Sequence, residues 1–179
     1  MATATAVDRD YSLPAKLLHW VIAACVIFII PAGIVMVNLE SGPLQDQLFN
    51  LHRSFGALVL ALMAVRVGYR LTFGAPPASG VLTPAQYVIS RIVHTGLYVL
   101  LIAQPIIGWV GTSAYPAPIS FFGLFDLPAL VGKNRELSET LLSIHGYLGF
   151  LIAAVVILHI AAALYHGIVR RDGVLSRMI

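Results

Sequence analysis

Hydrophobic positions fall into four long runs, at 17–39, 48–71, 87–114 and 141–169, separated by short polar or proline-rich stretches. Crossing the hydrocarbon core of a bilayer takes about 20 mainly apolar residues in a helix, and each run meets that length. The runs show no period-2 alternation, so barrel strands are excluded and helices are predicted. Glu40-Ser41-Gly42-Pro43, Gly74-Ala75-Pro76-Pro77 and Tyr115-Pro116-Ala117-Pro118 supply the breaks. The pattern predicts an all-α integral membrane protein, a four-helix transmembrane bundle forming a single domain over 1–179, with a disordered tail at 1–10. Pro31 and Pro105 fall inside the first and third runs and read as kinks that open space between helices.

The third connection is longer than a turn and carries Ile119-Ser120-Phe121-Phe122-Gly123-Leu124-Phe125, which is apolar but too short to span. It is expected to lie on the outer surface with its aromatics in the interface. The first run extends past Cys25 to Asn38 with no clear cleavage site, so it reads as a retained span rather than a signal peptide.

Composition sharpens the class. The 179 residues are 59% hydrophobic and 11% charged, with a mean hydropathy of +0.88. A soluble domain is excluded. The net charge is +3 and its cations are isolated or paired, which excludes a nucleic-acid-binding face. The single cysteine permits neither an intrachain disulfide nor covalent haem attachment. Arg9, Lys16, Arg66, Arg70, Arg91, Arg170, Arg171 and Arg177 fall on the side of the termini, against Arg53, Lys133 and Arg135 opposite. The positive-inside rule then predicts that both termini are cytoplasmic. The far side also carries Glu40, Asp46, Asp126, Glu136 and Glu139 and is net acidic.

All six histidines, at 19, 52, 94, 145, 159 and 166, lie within or at the edges of the spans, where an ionisable group is costly and marks function. His145 and His159 are 14 residues apart on the fourth run, a rotation that returns to within about 40° of one face and a rise of roughly 21 Å. Stacking of this kind suits two separate cofactors. Depth in the bundle pairs His52 with His145 and His19 with His159, while His94 lies deep enough to rival His19. Small residues one turn on from four of them, Ala23, Gly56, Gly149 and Ala163, agree with a flat macrocycle lying beside those helices. Paired neutral imidazoles without carboxylate or thiolate fit haem iron best, bound by two histidines and suited to electron transfer. Zinc or copper would recruit acids, Cys or Met. Lys16, Arg66, Arg70 and Arg91 are candidates for the propionates of an inner haem, and Arg53 for an outer one.

Several local patterns then carry a resemblance: Tyr11-Ser12 with Leu18-His19-Trp20, His52-Arg53-Ser54-Phe55-Gly56, His94 with Gln104-Pro105-Ile106-Ile107-Gly108, and His145 followed by Leu158-His159-Ile160. Tyr165-His166 with Asp172, Leu175 and Arg177-Met178 completes it. In this order the chain resembles the bacterial cytochrome b561 family of four-helix membrane cytochromes. The resemblance implies two noncovalent b haems on His19, His52, His145 and His159, and electron exchange between a small-molecule or protein donor and ubiquinone in the bilayer. Superoxide is the donor in some members. His94, Arg91 and His166 are then candidates for the quinone pocket or its protons. Two other readings remain: a haem-carrying anchor subunit of a larger dehydrogenase or hydrogenase, and a metal or haem transporter using the histidines as a relay.

Overall fold

The computed structural model describes residues 10–78, 80–115 and 117–179. Four long helices account for most of them: α1 (Leu13–Asn38), α2 (Pro43–Phe73), α3 (Pro84–Ala114) and α4 (Arg135–Leu164). All four are long and apolar enough to cross a membrane. Apart from Asp10, the expected disordered tail lies outside the described residues.

Each helix starts where the sequence supplies a stop for the preceding loop. Pro43 and Pro84 stand at the first helical position, where a missing N–H costs nothing. Thr83 and Gln86 form a reciprocal capping box on α3, and the Asn134 side chain accepts from the Leu137 amide to cap α4. α2 ends at Gly74, whose φ of 75° only glycine adopts freely. α2 and α4 begin five and six residues before the apolar runs that announce them. Their first turns carry Gln45, Asp46 and Gln47, and Glu136 and Glu139, which a hydropathy count leaves out although they continue the helix beyond the hydrocarbon.

α1 packs chiefly on α2, α3 on α4, and α2 on α3. One end of the bundle carries the start of α1 and the finish of α4, and is called the terminal end. At the other, the third connection folds into a two-stranded antiparallel hairpin, β1 (Ile119–Phe121) with β2 (Phe125–Leu127), in the register Ile119 to Leu127 and Phe121 to Phe125. The hairpin is fastened to α2 through one side chain: Ser54 Oγ donates to the Ser120 carbonyl at 2.9 Å and accepts from the Phe122 amide at 3.0 Å. Its turn places Phe122 (φ 52°) and Gly123 (φ 74°) in the left-handed region.

The close-packed core is small and lies at mid-depth. Ile22, Cys25 and Val26 of α1 meet Val59 and Met63 of α2, with Tyr98, Leu101 and Ile102 of α3 and Val156 of α4 packed around them. Most remaining large apolar side chains point outward, such as Leu71 at 82% and Ile92 at 66% exposure. That distribution belongs to a chain whose surroundings are as apolar as its interior.

Beyond α4 the chain forms a π-helical turn (Tyr165–Arg170) and then folds back. Trp20 Nε1 donates to the Met178 carbonyl, the Tyr11 amide to the Arg177 carbonyl, and Arg177 to the Pro77 carbonyl at 2.7 Å. Leu175 packs against Gly167 where a side chain would otherwise stand. These contacts close the terminal end over Trp20, the neighbour of His19.

Two histidine pairs as candidate cofactor sites

At the hairpin end, the imidazoles of His52 (α2) and His145 (α4) face each other with ring centres 6.0 Å apart and planes at 75°. His52 Nδ1 donates to the Ile29 carbonyl and His145 Nδ1 to the Gln104 carbonyl, each at 3.1 Å. Only a protonated Nδ1 can meet a carbonyl, so each Nε2 keeps its lone pair for a ligand bond. Both acceptors sit within two residues of an interior proline, Pro31 in α1 and Pro105 in α3.

One turn past each acceptor is a glycine. A Cβ on Gly33 would stand 2.9 Å from His52 Cε1, and one on Gly108 would stand 2.9 Å from His145 Cε1. The Cε1 corner of each ring therefore stands directly against glycine backbone. An open cleft of about 120 Å³ adjoins the pair, lined by His52, Arg53, Gly56, Gly108, Trp109 and His145 among others. Ile119 and Leu127 of the hairpin also line it. Arg53 lies over the Phe49 ring at 5.4 Å and is the cation at its wall.

At the terminal end, His19 (α1) and His159 (α4) have ring centres 6.1 Å apart at 73°. His94 (α3) comes within 5.2 Å of His159. Its Nδ1 donates to the Ser90 carbonyl of its own helix at 2.7 Å. Among the described residues, no hydrogen bond reaches the His19 or His159 ring; the flank of His19 is the Trp20 indole at 5.4 Å. Arg66 donates from Nε to Tyr98 Oη at 3.0 Å and also to the Ala15 carbonyl. Arg66 and Arg70 both lie against the Tyr98 ring. Lys16 is drawn to the folded-back segment, 2.6 Å from the Ile179 carbonyl and 3.6 Å from Asp10.

His166, buried in the π-helical turn, donates from Nδ1 to Asp172 at 2.7 Å, and Arg170 meets the same carboxylate at 3.1 Å. Burial alone would push the Asp172 carboxyl up, but the bonds from His166 and the Val174 amide, with the Arg170 charge, hold it below the ordinary carboxylate range. Arg91 is exposed, one turn before His94 on α3.

The donor sets test what the sites can hold. A metal–imidazole bond is about 2.0–2.1 Å, so two imidazoles on opposite sides of one ion have ring centres about 6 Å apart. His52–His145 and His19–His159 meet this separation, and His94–His159 is tighter. Among the described residues no group of three or more His, Cys, Asp or Glu gathers to complete a shell for a bare ion. Pairs of neutral imidazoles beside open space fit a macrocycle that brings its own four equatorial nitrogens.

Sequence reasoning paired by depth the histidines whose rings stand 6.0 and 6.1 Å apart, but overlooked the glycines beside the rings. Gly56, expected to make room one turn from His52, does face open space, whereas Gly149 lies against Gln104 Nε2 at 3.5 Å. The beds themselves are Gly33 and Gly108 on neighbouring helices. The signal present in the sequence was a glycine three or two residues beyond an interior proline.

This fold and donor pattern define a membrane cytochrome, and comparison with known proteins agrees. Residues 10–179 match the family model described as prokaryotic cytochrome b561. The chain belongs to the prokaryotic cytochrome b561 family, whose members carry haem, and is thus an oxidoreductase and a multi-pass protein of the bacterial inner membrane. It is 28% identical over 179 residues to cytochrome b561 homolog 2 of Escherichia coli strain K12, covering 98% of this chain and 94% of that protein. It is 30% identical over 171 residues to the probable superoxide oxidase CybB of Yersinia pestis, covering 96% of each. Identity to cytochrome b561 homolog 1 of Escherichia coli strain K12 is 29% over 134 residues, 72% of each chain.

Proposed function

We propose that the protein holds two b haems, one between His52 and His145 and one between His19 and His159, and passes electrons from a donor at the hairpin end to ubiquinone. The observation that carries the reading is the recurrence of one geometry, opposed imidazoles with centres 6.0 and 6.1 Å apart, at two levels of the same bundle. His52 and His145, and His19 and His159, would hold the haems, which would supply one-electron transfer. The Ile29 and Gln104 carbonyls fix the tautomer of the hairpin-end ligands and raise their basicity.

The cation excess at the terminal end supports placing that end in the cytoplasm and the hairpin in the periplasm. Superoxide is the donor class suggested by the relative from Yersinia pestis. Arg53, at the wall of the hairpin-end cavity, is a local cation for an anionic donor or a propionate on a face that is otherwise net acidic. Arg66, between Tyr98 and α1, serves as the corresponding cation at the other level, with Lys16 behind it. Two superoxide ions each surrender one electron and leave as dioxygen; the two electrons, with two protons, convert ubiquinone to ubiquinol. His94 and the His166–Asp172 pair, at the terminal end, with Arg91 one turn before His94, are the groups to which this reading assigns the quinone site and its protons.

The test is stopped-flow mixing of the purified holoprotein with superoxide and a soluble ubiquinone analogue. The reading expects quinol formation above the rate of spontaneous dismutation, abolished in His52→Ala and His159→Ala. Quinol formation equal in wild type and both variants would overturn it.

A further inference from the structure

The two ligands of the hairpin-end pair are not held alike. Each donates Nδ1–H to a helix carbonyl at the same 3.1 Å and lies on a glycine. Among the described residues, only His145 has a second tie: Gln104, whose own carbonyl receives the ring proton, sends its side-chain Nε2 back to the His145 carbonyl at 2.7 Å. One residue of α3 and one of α4 thus form a closed ring of two hydrogen bonds, running in opposite directions, across the helix interface. A carbonyl has two lone pairs, so His145 accepts this bond without giving up its place in the helix ladder.

The amide is an expensive way to pack two helices in a membrane. Its Oε1 is buried with no donor among the described residues, and an unpaired polar atom there is costly. Leucine or methionine would fill the same space without that cost. What neither would do is fix the backbone of His145 relative to the carbonyl that orients its ring.

Resting on the dihaem reading above, we infer that Gln104 is a positioning residue for the axial ligand His145. Its side-chain amide holds the His145 backbone against the carbonyl that sets the ring's tautomer, and so keeps the 75° angle to His52, making His145 the fixed member of the pair and His52 the more easily displaced one.

The experiment compares Gln104→Met with wild type as detergent-purified holoproteins, with His145→Ala and His19→Ala marking which haem signal belongs to which pair. Haem transfer to excess apomyoglobin measures retention, and ferric EPR reports the angle between axial ring planes. The inference expects the hairpin-end haem of Gln104→Met to be lost about 10–100-fold faster, the usual effect of removing an outer-shell partner, with its EPR signal shifted and the other haem unchanged. Equal retention and an unshifted signal, or equal changes at both haems, would overturn it. If His145→Ala kept both haems, the dihaem reading and this inference would fall together; if it lost one and Gln104→Met changed nothing, only the inference would fall. Should Gln104→Met not accumulate, side-chain amide exchange in wild-type holoprotein decides. A slowly exchanging Gln104 Nε2 proton is expected, and free exchange contradicts the clamp.

Discussion

The two ends of the bundle hold their imidazoles by different means. At the hairpin end, rings are pressed onto Gly33 and Gly108, tied to carbonyls beside two prolines, and roofed by a hairpin pinned through Ser54. At the terminal end, His19 and His159 have aromatic and imidazole neighbours but no hydrogen bond to either ring among the described residues, and a third imidazole stands within 5.2 Å. The first arrangement is built from backbone and leaves little freedom. The second is built from side chains and leaves a choice of partner. A rigid site suits a fixed potential, and a permissive one suits a place where a substrate must arrive and protons must move.

The largest effect that can break this comparison is ligand removal. His52→Ala and His145→Ala each should lose the hairpin-end haem, and His19→Ala and His159→Ala the other, halving haem per chain by pyridine haemochrome. His94→Ala should keep both haems and lower quinone turnover only. If His94→Ala lost a haem and His19→Ala did not, the terminal-end pairing would be wrong.

Next come the beds. Gly33→Ala and Gly108→Ala each force a Cβ to 2.9 Å from a ring carbon, an overpacking of about 1–3 kcal/mol, and should lower occupancy of the hairpin-end haem alone. Gly68→Ala, where an added Cβ meets nothing within 4 Å, is the control and should leave both haems in place. Smaller again is Ser54→Ala, which frees the hairpin from α2 at a cost of about 1–2 kcal/mol. Faster protease cleavage at 119–127 with unchanged cleavage at the terminal end is the expected readout.

Of the four proposed ligand histidines, three follow from spacing and depth alone, because helix rise converts residue number into position across the membrane. The same arithmetic could not separate His19 from His94, since depth says nothing of azimuth. The ring separations, 6.1 against 5.2 Å, are the observation on which His19 is proposed. Gly33 and Gly108 were illegible as ring beds because the histidines they serve lie on other helices, 19 and 37 positions away in sequence. The hairpin escaped notice for a related reason. Its strands are three residues each, too short for alternation to register, and Ser54, which fixes it, lies 66 residues from its partner Ser120. The π-helical turn that buries His166 likewise leaves no signature in hydropathy.

The smallest expected effect concerns the closure of the terminal end. Asp172 is held below its ordinary 3.8, so its contribution is complete above that pH and is lost as the pH falls through the lowered value. Asp172→Asn should loosen the segment 171–179 at pH 7, measured by amide exchange. The difference from wild type should close as the pH falls below 3.8 through the lowered value of Asp172.

The central claim is that one bundle carries two cofactor levels on two histidine pairs. Haem per polypeptide on the detergent-purified protein, expressed with adequate haem supply and read by pyridine haemochrome with a reduced-minus-oxidised spectrum, tests it most directly. The account predicts two noncovalent, low-spin b haems per chain; one haem or none would contradict it.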